Sequence, residues 1–302
     1  MKFIAYILIY PLVYLLSILP MRILYLISDF FFFITYYIVG YRKDVIKSNL
    51  RLAYPNKSEE EINTLTKKNL RHFTDFIVET LKTFTISEKE VDKRYTYKNI
   101  ELIRELEANN KSIVLTGAHY ANWEWMFAIP RLINHKAVGS YKKISNPYFD
   151  KVVKSSRSKF GFEGVPTTNT TKKIAQQKKD GVLAFYVLLC DQTPGLNRAY
   201  YWTKFLNVFV PVITGPETIA KKHDFNVVNF TSTRVKRGYY EVEFQLITTT
   251  PQETEKFEIT NKFIELTEKH IEKNPEFYLW THKRFKHKDK FDIWNEKYNK
   301  QK

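Results

Sequence analysis

Cysteine is nearly absent from this chain of 302 residues, which holds only Cys190. One thiol cannot build an internal disulfide framework or a cysteine-based zinc site, so a reducing compartment is permitted. Glycine is also scarce, with nine residues, and neither a Walker nor a dinucleotide-binding glycine pattern occurs. A Gly-x-Ser-x-Gly elbow is missing too, so nothing marks a covalent nucleophile. No cluster of His, Asp and Glu has metal-ligand spacing, and we expect neither a metal nor a cofactor.

Acidic residues are too few to balance the basic ones. Asp and Glu number 32 against 48 Lys and Arg, which gives a formal net charge of +16. Such an excess favours an anionic partner, which is nucleic acid, an anionic membrane surface or an acidic soluble molecule. Composition alone does not choose among them. A non-enzymatic basic protein that binds membrane or nucleic acid through charge is therefore one hypothesis.

The N-terminal forty residues lack the charge found in the rest of the chain. Residues 3–19 form one apolar run, which contains Pro11, and residues 23–41 form a second, interrupted by Asp29. A helix that crosses a bilayer needs about 20 apolar residues, so each run is near the lower limit. The pattern predicts one spanning helix or a hairpin of two helices in the membrane interface. A hydrophobic hairpin packed on a soluble domain is the alternative.

The charge that follows these runs predicts the domain organisation. Arg42 and Lys43 come directly after the second run. Basic residues beside an apolar segment favour the cytoplasmic side of a membrane. We therefore expect residues 1–41 to anchor the chain and residues 42–302 to form one cytoplasmic domain.

The remaining sequence alternates helical and strand patterns. Ser58 and Glu61 form a capping-box pattern that predicts a helix through about Phe84, and a second helix is expected at 100–108. Alternating polarity at 239–246 indicates a half-exposed strand near a sheet edge. Continuous apolar runs of strand length occupy 113–115, 182–189 and 225–230. These patterns predict an α/β fold with a central mixed sheet flanked by helices.

A histidine and a carboxylate follow the first of these strands. His119 and Glu124 lie just beyond residues 113–115, at a strand's carboxyl end, where α/β sheets build their sites. Residues five apart on one helix point about 140° from each other, so we expect His119 in the turn and Glu124 on the next helix's first turn. Glu124 would then accept a hydrogen bond from one imidazole nitrogen. The other nitrogen would act as a general base toward a hydroxyl.

The same spacing occurs a second time without that context. His287 and Asp292 are also five apart, but they lie in a charged tail with no strand pattern before them. Spacing alone therefore has little specificity. The preceding strand favours His119 and Glu124 as the functional pair.

Six ordered segments resemble one known family. They are similar to the lipid A secondary acyltransferases, the lauroyl and myristoyl transferases of the Gram-negative envelope, within the wider lysophospholipid acyltransferase superfamily. The segments lie at 41–55, 119–124 (His-Tyr-Ala-Asn-Trp-Glu), 146–161, 191–195 (Asp-Gln-Thr-Pro-Gly), 209–216 and 275–286 (Pro-Glu-Phe-Tyr-Leu-Trp-Thr-His-Lys-Arg-Phe-Lys).

The resemblance implies an α/β fold with a membrane-embedded N-terminus and His119 as general base paired with Glu124. It also places Asn122, Arg157 and Asp191 in the substrate site. Arg157 has a rigid donor fork suited to a phosphate or a developing oxyanion, against the alternative of a solvated surface arginine. For Asp191, which precedes a turn, a turn-capping role is the alternative.

Basic residues near the C-terminus form the last resembling segment. Arg284 and Lys286, with Lys283, would bind lipid phosphates or an acidic carrier protein, or would only neutralise the membrane surface. Lys283 replaces the family's usual arginine, which puts a bidentate contact at that position in doubt.

The reaction implied is transfer of a long-chain acyl group from an acyl-carrier-protein or CoA thioester to a hydroxyl of a lipid A precursor. Without a marked nucleophile, the acceptor oxygen would attack the thioester directly. The expected place is the cytoplasmic face of the bacterial inner membrane, with no nucleic-acid partner. A lysophospholipid or an aminolipid is the alternative acceptor.

Overall fold

The computed structural model describes residues 2–299. The helices are α1 (Lys2–Ile18), α2 (Met21–Phe33), α3 (Lys43–Ala53), α4 (Glu59–Lys82), α5 (Glu88–Arg94), α6 (Ile100–Glu107), α7 (Pro147–Ser158), α8 (Thr170–Lys179), α9 (Gly215–His223), α10 (Glu258–Lys273) and α11 (Phe291–Trp294). The strands are β1 (Tyr95–Tyr97), β2 (Ile113–Gly117), β3 (Lys136–Tyr141), β4 (Glu163–Pro166), β5 (Ala184–Leu189), β6 (Tyr201–Phe205), β7 (Val208–Val212), β8 (Asn226–Lys236) and β9 (Tyr239–Thr248).

Seven strands form one central sheet in the order β1-β9-β8-β2-β5-β3-β4. Strands β8, β2, β5, β3 and β4 run parallel to one another, β9 is antiparallel to β8, and β1 is parallel to β9. Strands β6 and β7 form a separate antiparallel pair. The predicted α/β fold with a mixed sheet is therefore confirmed.

The sheet is buried on both faces. In β2, Ile113 and Leu115 belong to one hydrophobic cluster, and Val114 belongs to the cluster on the opposite face. Because successive side chains of a strand point to opposite faces, a strand covered on both sides must be apolar throughout. This burial explains why the central strands read as continuous apolar runs.

The predicted start of helix α4 is confirmed, and its predicted end is close. The capping box is present: the amide of Glu61 donates to the Ser58 hydroxyl at 3.2 Å, and the Glu61 carboxylate accepts from the Ser58 amide at 2.8 Å. Helix α4 ends at Lys82, slightly before the predicted Phe84. Strand β9 lies near a sheet edge, as predicted, with only the short strand β1 paired on its outer side. Three residues give too short a pattern to predict β1 from sequence.

The two N-terminal apolar runs form α1 and α2, and α2 continues as a π-helical turn through Ile38. Within the part of the chain that the structure describes, Met21–Ile38 alone is long and apolar enough to cross a membrane, judged by length and composition. One face of α2 is buried where it packs on α4. Asp29 on this helix pairs with Arg71 at 2.8 Å and also with Arg237.

Candidate functional site

Two loops meet where the neighbouring parallel strands β2 and β5 end. Gly117, the last residue of β2, is in register with Leu189, the last residue of β5. The amide of Cys190 also donates to the Gly117 carbonyl at 3.1 Å. A side chain at position 117 would collide with the Phe230 ring, which lies 2.1 Å from a Cβ built there. The loops after β2 and β5 therefore both begin at strand ends that are hydrogen-bonded to each other.

His119 and Asp191 lie two residues beyond these strand ends and contact each other. Imidazole Nδ1 is 2.7 Å from Asp191 Oδ1. The Asp191 side chain is only 1% exposed, whereas that of His119 is 19% exposed. Burial opposes ionisation of Asp191, but the charge of His119 and its hydrogen bond hold the pKa of this carboxyl below its ordinary value.

This contact fixes the state of the imidazole. A carboxylate can only accept, so Nδ1 carries the proton and donates to Asp191. Nε2 of His119 then presents the lone pair of the neutral ring, which accepts a hydrogen bond of 3.4 Å from the amide nitrogen of Gln192. An imidazole held in this way can take a proton from a hydroxyl while the carboxylate stabilises the resulting cation.

Glu124 lies where the sequence predicts, on the first turn of a short 3₁₀ helix (Glu124–Arg131), but its partner differs. Its carboxylate accepts from Arg157 Nε at 3.1 Å and from Nη2 at 2.8 Å. Among residues 2–299, no hydrogen bond joins Glu124 to His119. The expected pairing is corrected, because Asp191 occupies the imidazole and Arg157 offers a stronger, charge-assisted contact.

Arg157, near the C-terminal end of α7, is brought to the site by Glu124. The fork of Nε and Nη2 faces the carboxylate, and the guanidinium lies over the Tyr141 ring at 5.9 Å. The side chain is 21% exposed. Nη1 has no hydrogen bond to any described residue, so one edge of the guanidinium is available to an anion.

Asn122 is not available to a substrate. It is 0% exposed, its Nδ2 donates to Glu79 Oε2 at 2.8 Å, and its Oδ1 accepts from the amide of Trp125 at 3.2 Å. Both ends of the amide are used within the protein. The expectation that Asn122 binds substrate is therefore corrected: this side chain fixes the loop between His119 and Glu124.

The two basic residues expected to bind ligands near the C-terminus lie in different surroundings. Arg284 is 2% exposed, with its guanidinium over the Phe205 ring at 4.6 Å and Nη1 3.4 Å from the carbonyl of Pro211. Lys286 is exposed. Arg284 is too buried to contact a carrier protein or a lipid phosphate, and the Thr193 hydroxyl also lies 3.5 Å from Nη1. The expectation for Arg284 is corrected, and that for Lys286 stays a prediction.

Sequence reasoning missed the buried carboxylate of Glu79. It accepts hydrogen bonds at 2.8 Å from Tyr25, Asn122 and Tyr240. Burial and the nearby charge of Asp75 raise the pKa of Glu79 to about 7, although the three donors oppose this. The sequence held a sign of this buried polar group, since α4 carries polar residues at helical spacing beside its apolar ones.

Comparison with known proteins identifies the family of this chain. Residues 2–287 match the family described as "Bacterial lipid A biosynthesis acyltransferase". A lipid A biosynthesis acyltransferase of Haemophilus influenzae is 26% identical over 260 residues, which cover 82% of this chain and 79% of that protein. A lipid A biosynthesis lauroyltransferase of Escherichia coli is 24% identical over 249 residues, 81% of this chain and 79% of its own length. The resemblance is confirmed: the chain belongs to the bacterial lipid A biosynthesis acyltransferase family.

Proposed function

We propose that this enzyme transfers a fatty acyl group from a thioester, carried by acyl carrier protein or CoA, to a hydroxyl of a lipid A precursor. The observation that carries the proposal is the imidazole of His119, whose Nδ1 is held by the buried carboxylate of Asp191 at 2.7 Å. This arrangement leaves Nε2 as a base on a side chain that is 19% exposed. It suits deprotonation of a hydroxyl that attacks an acyl carbonyl.

The chemical steps follow from this geometry. Nε2 of His119 takes the hydroxyl proton while the acceptor oxygen forms a bond to the thioester carbonyl carbon. The tetrahedral intermediate then breaks its carbon–sulfur bond, and the leaving thiolate takes the proton back from the imidazolium. Cys190 is not the nucleophile, because burial raises the pKa of its thiol well above the ordinary value and keeps it neutral.

Arg157 and Glu124 have a second role in the proposal. Glu124 holds the guanidinium by three contacts of 2.8 to 3.1 Å. The open edge of Arg157 would then bind a phosphate of the acceptor or the oxyanion of the intermediate. Glu124 thereby acts on the substrate through Arg157 and not through His119.

The proposed partners are an acidic carrier protein or CoA as donor and an anionic membrane. Lys283 and Lys286 are both exposed and lie in the resembling segment at 275–286. They would attract the negative charges of either the carrier or lipid headgroups. No nucleic-acid partner is needed to account for the charge of +16.

We further propose that residues 1–41 anchor the chain as an interfacial hairpin and that residues 42–302 are the catalytic domain at the cytoplasmic face of the inner membrane. Most of the large apolar side chains exposed on the described residues lie within 3–41. Helix α2 runs beside α4. Lys82, at the end of α4, donates to the carbonyl of Leu19 just before α2, and Lys67 of α4 lies over the ring of Tyr37 just after α2. An amphipathic surface of this kind inserts into one leaflet.

Charge substitutions on the exposed face test this anchoring. Leu8 is 71% exposed and Leu12 is 59% exposed, so Leu8→Glu with Leu12→Glu should leave folding intact while releasing much of the protein from membranes. Ile293→Glu, at an equally exposed position near the C-terminus, should not. Equal membrane binding of both variants would contradict the proposal.

Mass spectrometry of total lipid A and polar lipids tests the reaction. Cells that lack the gene are compared with cells complemented by wild type or by His119→Ala. We expect one lipid A species to lose a single acyl chain and only wild type to restore it. Loss from a phospholipid or an aminolipid instead would support the chemistry and replace the acceptor. Full restoration by His119→Ala would overturn the assigned base.

A further inference from the structure

A stripe of polar side chains runs along the apolar helix α2. Tyr25, Ser28 and Asp29 are three and four positions apart, so they lie on one face of this helix, and all three contact side chains of α4. The hydroxyl of Tyr25 donates to Glu79 Oε1 at 2.8 Å. That of Ser28 donates to Asp75 Oδ1 at 2.7 Å. Polar side chains are costly in an apolar membrane-associated helix, so this stripe indicates a role beyond anchoring.

Glu79 connects the tyrosine of this stripe to the turn that carries His119. Its Oε1 accepts from Tyr25, and its Oε2 accepts from Asn122 Nδ2 at 2.8 Å. Asn122 Oδ1 in turn accepts from the amide of Trp125 at 3.2 Å. Glu79, Asn122 and Trp125 are all 0% exposed, so bulk water does not replace a partner that is lost there. The loop after β2 is thus tied to α2 through one buried carboxylate.

The turn needs this support because its backbone is strained. Ala121, two residues after His119, has a φ of 50°, in the left-handed region that is costly for a residue with a Cβ. Such a conformation persists only where the surrounding contacts hold it. The amide of Ala121 donates to the carbonyl of Phe277 at 2.9 Å, and the next side chain, Asn122, is held by Glu79. Loosening Asn122 would let the turn relax and shift the imidazole.

The orientation of the Glu79 carboxylate depends on its partners, because the last torsion of a glutamate side chain has no sharp preference. Tyr240 shares Oε2 with the asparagine, at 2.8 Å, whereas Tyr25 holds Oε1. The Tyr25 ring is itself fixed. The guanidinium of Arg237 lies over it at 4.5 Å, and its hydroxyl occupies the space that a side chain at Gly238 would need. Removing the hydroxyl alone would therefore leave the ring in place and release Oε1.

We propose that Tyr25 is a positioning residue: it orients Glu79, which holds the turn that carries His119. This inference rests on the proposed function, since it takes His119 as the base of that reaction. Helix α2 is then part of the catalytic unit as well as of the membrane anchor. Residues 42–302 alone would lack the donor that completes this path.

The full chain in detergent micelles, with a thioester donor and a lipid A precursor, tests the proposal through two variants. Tyr25→Phe removes the donor to Glu79. Ser28→Ala is the matched control, because it removes a similar hydroxyl bond between the same two helices without touching Glu79. We expect Tyr25→Phe to lower kcat about 10- to 100-fold and to change KM less than about two-fold, because the base is displaced. Ser28→Ala should keep kcat within about two-fold.

Equal losses of kcat in the two variants would overturn the proposal, since α2 would then act only by packing on α4. An unchanged kcat in Tyr25→Phe would overturn it as well. Combination with Asn122→Ala adds a further test. The effects of Tyr25→Phe and Asn122→Ala on kcat should be strongly non-additive, because both act on one path, and simple additivity would contradict it.

Hydrogen exchange followed by mass spectrometry tests the same path without turnover. The amide of Trp125 is bonded to the Asn122 side chain, so its exchange reports whether that side chain stays in place. Tyr25→Phe should raise exchange in the peptide 119–125 at least about ten-fold, and Ser28→Ala should not. Unchanged exchange in Tyr25→Phe would overturn the proposal.

His119→Ala separates this inference from the proposed function. The turn keeps its contacts to Asn122 without the imidazole, so Tyr25→Phe should raise exchange in the His119→Ala background as it does in wild type. Wild-type turnover by His119→Ala would remove the assigned base and leave the exchange result standing. Failure of the reaction and failure of the positioning path are therefore distinguishable.

Discussion

His119 and Asp191 are 72 positions apart in the chain, yet imidazole Nδ1 lies 2.7 Å from the carboxylate Oδ1. The contact exists because β2 and β5 are adjacent and parallel, so their carboxyl ends meet at one edge of the sheet. The base and the acid that orients it therefore come from two different loops. The acid nearest in sequence, Glu124, holds Arg157 instead.

Asp191→Asn should lower kcat by about 10²- to 10⁴-fold with little change in KM. The amide nitrogen of asparagine can donate to Nδ1, which favours the tautomer with its proton on Nε2 and so removes the base. Steady-state kinetics with a thioester donor and a lipid A precursor measure the effect. Circular dichroism should show an unchanged fold.

Glu124→Gln is the matched comparison for that experiment. It removes the charge that holds Arg157 and leaves the hydrogen bond between His119 and Asp191 in place, so we expect a smaller loss of kcat. If Glu124→Gln lowered kcat much more than Asp191→Asn, Glu124 and not Asp191 would be the carboxylate that orients the His119 imidazole during the reaction.

The sequence predicted the position of each site loop better than the contacts between loops. The apolar runs at 113–115 and 182–189 located strands β2 and β5, because strands buried on two faces must be apolar throughout. Strand order is not written in any local pattern. The adjacency of β2 and β5, which pairs His119 with Asp191, arises only when the sheet is assembled.

Burial of charged residues was equally hard to foresee. Arg284 and Lys286 belong to one basic segment, and local sequence gives no reason to separate them. The structure encloses Arg284 beside Phe205 and leaves Lys286 exposed. Which of these side chains faces inward depends on the β6–β7 pair and α10, which come from distant parts of the chain.

This difference predicts unequal losses of stability for two alanine substitutions. Arg284→Ala should lower the free energy of unfolding by about 2 to 4 kcal/mol, because it leaves a cavity beside Phe205. Lys286→Ala should change it by no more than about 0.5 kcal/mol. Urea unfolding in detergent measures both. An Arg284→Ala variant as stable as wild type would show that the buried guanidinium contributes nothing to the fold.

Arg157→Lys should lower kcat/KM at least about ten-fold, although the charge is kept. A single ammonium cannot reproduce the fork that engages Glu124 while another edge faces the substrate. A rise in KM for the lipid acceptor would indicate a phosphate contact, and a fall in kcat would indicate oxyanion stabilisation. Arg157→Lys and Glu124→Gln should be non-additive when combined, because both disrupt one ion pair. Simple additivity would contradict a joint role.

The buried carboxyl of Glu79 should make stability depend on pH. Its pKa is raised to about 7 in the folded protein, mainly by burial, against about 4.3 for an unfolded chain. Below both values the group is protonated in both states and costs nothing. As pH rises from about 4.3 to about 7, the unfolded chain ionises first, so the free energy of unfolding should fall by up to about 3 kcal/mol.

Glu79→Gln removes this titration while an amide oxygen and nitrogen remain near Tyr25 and Asn122. Its unfolding free energy should lose less between pH 5 and pH 7.5 than that of wild type, and the difference between the two proteins should level off above about pH 7. Thermal or urea unfolding at a series of pH values gives both curves. Parallel curves would show that Glu79 is ionised in the folded protein throughout this range. In that case its three donors would outweigh the effect of burial.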